Sequence, residues 1–121
     1  MSEIKIGEVS LCTNDVICLA DFYKALLGVE SNSSDAVHQT ILLKETALTI
    51  YNDGSVKNNQ NQNICLAFTV KDVDAEFARL VKMGVNIIEE PQTRPWGMRN
   101  LHFCDPDGNH IYFRSPVNSR D

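Results

Sequence analysis

Apolar and polar residues alternate strictly over Ile64 to Lys71. Ile64, Leu66, Phe68 and Val70 share one parity, and Cys65, Ala67, Thr69 and Lys71 share the other. A period of two predicts a strand with one covered face. Val9 and Leu11 alternate in the same way with Glu8, Ser10 and Cys12. After each of these strands the period lengthens. Leu19, Phe22, Tyr23, Leu26 and Leu27 keep helical spacing, as do Val73, Phe77, Leu80 and Val81. Asp15 and Asp72 stand where a helix N-cap belongs, because a short carboxylate accepts bonds from the first free helical N–H groups. Gly28 and Gly84 suit the left-handed position that ends a helix.

The two stretches are copies of one plan. Asp15-Val16 answers Asp72-Val73, and Gly28-Val29 answers Gly84-Val85, at an offset of about half the chain. More strand follows each helix: Val37 to Leu43 and Thr46 to Tyr51 in the first copy, Val85 to Ile88, Asn100 to Phe103 and His110 to Arg114 in the second. Lys44-Glu45 and Asp105-Pro106-Asp107-Gly108-Asn109 read as turns. The expected order is β-α-β-β-β twice, an α+β fold with helices on one face of each sheet and the other face free. Module one runs from about 4 to 52 and module two from about 63 to 116. They form a single domain over 1–121, joined by a polar linker at about 53–62 that contains an all-amide run from Asn58 to Asn63.

Composition narrows the partners. Eleven basic against sixteen acidic residues give a net charge of -5. Nucleic acid is not expected as a partner, because phosphate binding needs concentrated Lys and Arg. No apolar run reaches the roughly 18 residues of a membrane span, and the start has no basic-then-apolar leader. Cys12, Cys18, Cys65 and Cys104 form no Cys-x-x-Cys pair and read as four free thiols in a cytoplasmic protein. At 121 residues the chain is too short for a cofactor domain plus a substrate domain.

Two motifs on this repeat carry a family resemblance. Asp15-Val16 followed by Asp21-Phe22-Tyr23-Lys24-Ala25-Leu26-Leu27-Gly28, and Pro95-Trp96-Gly97-Met98-Arg99 followed by Asp105-Pro106-Asp107-Gly108-Asn109, resemble the first helix and the C-terminal hairpin of the vicinal oxygen chelate superfamily. That superfamily includes glyoxalase I, bleomycin resistance proteins and extradiol dioxygenases. The resemblance covers about Ile4 to Pro116. It implies two tandem βαβββ modules forming a curved mixed sheet around a concave small-molecule cleft, and a homodimer. In metal-using members the ligand positions correspond here to Glu8, Leu48, Cys65 and Tyr112. Only Glu8 is a ready donor to a hard cation, so neither metal nor cofactor is expected. A shifted metal site would draw on Glu8, His102 and His110.

Strand parity gives a second route to the cleft. With Leu101, Phe103, Ile111 and Phe113 in the core, Asn100, His102, Cys104, His110, Tyr112 and Arg114 face the other way. Cys65, Ala67 and Thr69 join them, as do Glu8, Ser10 and Cys12. Trp96, flanked by Arg94 and Arg99, is a candidate aromatic wall. The expected ligand-binding residues are Glu8, Cys65, Trp96, Arg99, His102 and Tyr112, with Glu8 and His102 as candidate general bases. The first reading is a metal-independent small-molecule binder like the bleomycin resistance proteins, sequestering or sensing its ligand. The alternatives are a glyoxalase-like lyase or isomerase, and a dimerising scaffold with no small ligand.

Overall fold

Asp15 starts the first helix as its spacing predicts. Its Oδ1 accepts from the Cys18 amide at 3.0 Å, and the helix α1 runs Val16–Leu27. Asp72 does the same for α2, Val73–Met83, accepting from the Ala75 amide at 3.1 Å. Gly28 and Gly84 close the two helices in the left-handed region, at φ 66° and 77°. The same two residue types at matching places bound both helices of the repeat. The protein is seen in a computed structural model that describes residues 3–56 and 64–117. It divides into two compact units, Met1–Asn61 and Gln62–Asp121. The amide run from Asn58 to Asn63 lies outside the described residues. Among those described, no helix is long and apolar enough to cross a membrane.

The architecture is α+β, two tandem modules on the βαβββ plan. In the first unit β1 (Glu8–Cys12) pairs parallel with β3 (Ala47–Tyr51), and β3 pairs antiparallel with β2 (His38–Leu42). In the second unit β4 (Cys65–Thr69) pairs parallel with β7 (His110–Pro116), followed across the sheet by β6 (Met98–Cys104) and β5 (Asn86–Thr93). In each unit the first and last strands pair parallel, with the helix and the remaining strands between them in the chain.

The units differ in one strand. Residues 29–37 occupy the place that β5 holds in the second unit, yet among the described residues they form no ladder. The run Glu30-Ser31-Asn32-Ser33-Ser34-Asp35 has no apolar alternation to hold a sheet face. Its polar side chains bond locally instead: Asp35 Oδ1 accepts from the Val37 and His38 amides at 2.7 and 3.0 Å.

Each unit buries the face of its sheet that meets its helix. Leu19, Tyr23 and Leu26 of α1 are buried, as are Leu11, Ile41, Leu48 and Ile50 of the strands. Leu80, Leu101, Phe103, Ile111 and Phe113 form the second core. Phe113 packs edge-on against Phe68 and Phe103, with centroids 6.1 and 5.0 Å away. Each such side chain contributes about 1.5–3 kcal/mol by leaving water. The turn into β7 is tied by Asp105, whose carboxylate accepts from the amides of Asp107 and Asn109 and from Asn109 Nδ2.

Candidate functional site

Cross-strand register partners point their side chains to the same face of a sheet. The register therefore sorts the second unit's open face into rows. One row is Cys65, His110 and Cys104, and the next is Ala67, Tyr112 and His102. His102 stacks flat on Tyr112, with centroids 4.3 Å apart and planes at 12°. Its Nε2 lies 2.7 Å from Nδ1 of His110, a hydrogen bond in which one ring donates and the other accepts. The residue across β4 from Tyr112 is the small Ala67.

This cluster has defined electrostatics. Partial burial pushes the pKa of His102 down, and repulsion from His110 pushes it further, against a smaller upward pull from the Glu89 carboxylate. His102 is thus a neutral imidazole near pH 7. Glu89 is also held by an ion pair with Arg94. Cys104 is buried, and burial followed by the nearby Asp105 charge raises its pKa, so it stays a thiol. Cys65 is exposed, next to His110 across the β4–β7 pair. Among the described residues no disulfide joins any of the four cysteines.

The first unit's open face carries Glu8, Ser10 and Cys12, with Ala47, Thr49 and Tyr51 beside them. Glu8 accepts from the Thr49 hydroxyl at 3.0 Å. Tyr51 donates to Asp53, which lifts the tyrosine's pKa. His38 meets Tyr51 edge-on at 6.0 Å.

The expected residues separate into four groups. Cys65, His102 and Tyr112 come together on the second unit's open face, and His110 joins them. Glu8 sits on the first unit's open face. Arg99 is on the helix side: its Nε and Nη2 donate to the two carboxylate oxygens of Asp74 on α2 at 2.8 and 2.9 Å, and Nη1 donates to Thr93. The pairing holds the Asp74 pKa down and that of Arg99 up. Parity already contained this result, since Arg99 shares a face with Leu101. Trp96 is 69% exposed at the turn between β5 and β6. Leu48, at 2% exposure, lies under the helix, and Thr49, on the other face of the strand and itself buried, takes the position that the motif alignment gave to Leu48. Glu89 was missed because Val85 to Ile88 read as the whole strand, whereas β5 runs on to Thr93 through two register shifts.

The donor set does not fit the divalent metal that the fold family implies. Of its positions, Glu8 offers a carboxylate, already engaged with Thr49, while Thr49, Cys65 and Tyr112 are poor partners for a hard cation. Among the described residues no group of three or more His, Cys, Asp or Glu side chains is arranged to hold a metal ion.

The family model for the Glyoxalase/Bleomycin resistance protein/Dioxygenase superfamily matches residues 5–113. An uncharacterised Bacillus subtilis protein, YraH, is 30% identical over 122 residues, covering 89% of this chain and 95% of its own. A glyoxalase/bleomycin resistance protein/dioxygenase from Nocardioides superposes with a TM-score of 0.78 at 18% identity, covering 98% of this chain and 87% of its own. A lactoylglutathione lyase from Agrobacterium tumefaciens gives a TM-score of 0.73 at 19% identity, covering 92% of each chain.

Proposed function

The chain belongs to the glyoxalase/bleomycin resistance protein/dioxygenase superfamily, and from that premise we propose that it binds a small molecule on the open face of its second unit without a metal ion. The observation that carries this reading is the His102–Tyr112 stack, with His110 hydrogen-bonded to its edge and small side chains beside it. The stacked pair offers its two outer faces and its ring edges as a polarisable surface for an aromatic or amide-bearing ligand. The imidazole pair supplies one donor and one acceptor at neutral pH. Sequestration or sensing needs nothing more than this surface. Cys65 borders it. A contribution from Glu8 or Trp96 is a separate expectation for mutagenesis.

The test is a titration of aromatic compounds into labelled protein, read on the ring resonances of His102, His110 and Tyr112. Saturable shifts that vanish in Tyr112→Ala support the reading, and silence across the panel overturns it. The metal-free part has its own test. Protein incubated with magnesium, manganese, nickel or zinc and then desalted is expected to retain no stoichiometric ion, and retention of one would overturn that part.

A second reading, a lyase or isomerase, draws on the neutral His102 imidazole, which can take a proton from a bound carbon acid and pass charge to His110. Turnover of α-keto or thiol-adduct substrates that is lost in His102→Asn or Glu8→Gln would support it. Binding without turnover would return the protein to the first reading.

A further inference from the structure

The platform leaves unused a third row on the same face. The register sets Thr69 opposite Arg114, Arg114 opposite Asn100 and Asn100 opposite Gln92, across all four strands of the second unit. Arg114 and Asn100 are half-buried, and Thr69 and Gln92 are exposed. The other described arginines of this unit, Arg79, Arg94 and Arg99, are each held by a carboxylate. Among the described residues Arg114 has no ion pair and its guanidinium has no hydrogen-bond partner. Directly across from it, Asn100 Oδ1 is buried and accepts no hydrogen bond. A buried acceptor without a donor has lost its water for nothing. The two unused groups are complementary and belong to cross-strand partners. One calls for an oxyanion, which the planar fork of Arg114 can grip with two parallel bonds. The other calls for a donor N–H or O–H.

Resting on the platform reading above, we infer that this row binds the charged end of the ligand and that the ligand is a small carboxylic acid with a hydrogen-bond donor on the neighbouring atom, such as an α-hydroxy or α-acylamino acid. The carboxylate sits on Arg114, Asn100 turns its side-chain amide so that the now-buried Oδ1 comes to the open face and accepts the neighbouring O–H or N–H, and Thr69 and Gln92 flank the group. Positions two apart on a strand are separated by about 6.8 Å. That carries a flat substituent from the Arg114 row to the faces of Tyr112 and His102.

The test uses the full chain, labelled with nitrogen-15 and carbon-13, and four probes: mandelate, phenylacetate (no hydroxyl), methyl mandelate (no charge) and benzyl alcohol (no carboxyl group). Mandelate is expected to shift the Arg114 Nε–H and Asn100 side-chain amide signals together with the Tyr112 ring. Phenylacetate and methyl mandelate should each bind about tenfold more weakly, the loss of one good polar contact. Arg114→Lys, which keeps the charge and loses the fork, should weaken mandelate and leave benzyl alcohol unchanged. If that variant fails to fold, the four probes on the unmodified protein still decide. Equal affinity for all four probes overturns the inference. So does movement of the Tyr112 and His102 signals with no acid moving Arg114, which leaves the platform reading standing. Silence of every signal overturns both.

Discussion

Two imidazole nitrogens 2.7 Å apart cannot both carry a proton without repulsion, and His102 yields because it is the more shielded ring. A depressed histidine pKa has a definite sign in stability. The unfolded chain takes up the proton near the ordinary value of about 6.5, while the folded chain resists. Stability from this group is therefore present above that value and is lost as pH falls towards the lower folded value. The denaturant midpoint is expected to drop from pH 7 to pH 5, and His102→Gln should flatten the slope in that window. An unchanged slope would show that His102 is not the group responsible. Tyr112, Cys65, Cys104 and Glu89 border the pair, and none has an ordinary value inside the window. At this scale the sequence was legible wherever parity was followed, as at His102, His110 and Tyr112. It misled where a motif position overrode parity. Leu48, Thr49 and Ile50 are all buried, so that strand shows no alternation to correct a slip of one, and Arg99 was assigned to the ligand by its nearness to Trp96 in the chain.

The helices show how far local chemistry fixes an element. The cap of α2 is doubly favoured: Asp72 accepts from the Ala75 amide, and Asp74 and Glu76 place negative charge in the first turn, where the helix dipole favours it. Asp72→Ala is expected to cost about 1 kcal/mol, read as a shift in denaturant midpoint at unchanged slope. Asp74 is different, because its carboxylate also anchors Arg99 on β6. Both groups are largely exposed, so Asp74→Asn should cost little in stability and act instead on the position of the β5–β6 end of the sheet. Helices and most strands were readable from capping residues and period. The strand expected from the repeat between α1 and β2 was not, because Ser31, Ser33 and Asp35 satisfy the backbone through local bonds that a ladder would have to break.

That missing strand has a consequence for the whole molecule. In the second unit β5 covers the outer edge of β6, and β5 is itself guarded by Glu89, Glu90, Pro91 and two register shifts, the devices that discourage further pairing. In the first unit β2 is an end strand with no such cover among the described residues. His38–Leu42 holds no Lys, Glu, Asp or Pro, pairs with β3 without a shift, and ends on Leu42 at 74% exposure. An unguarded edge of this kind invites another strand, and the simplest supplier is the same edge of a second copy, antiparallel across a two-fold axis. The expectation is a homodimer of twice 13.6 kDa, or 27.2 kDa, by sedimentation. Thr40→Lys with Leu42→Lys places charge on the edge while leaving Ile41 and Gln39 in the core, and it should shift the particle towards 13.6 kDa. A dimer untouched by the pair would move the contact to another strand, and a monomeric parent protein would remove it altogether.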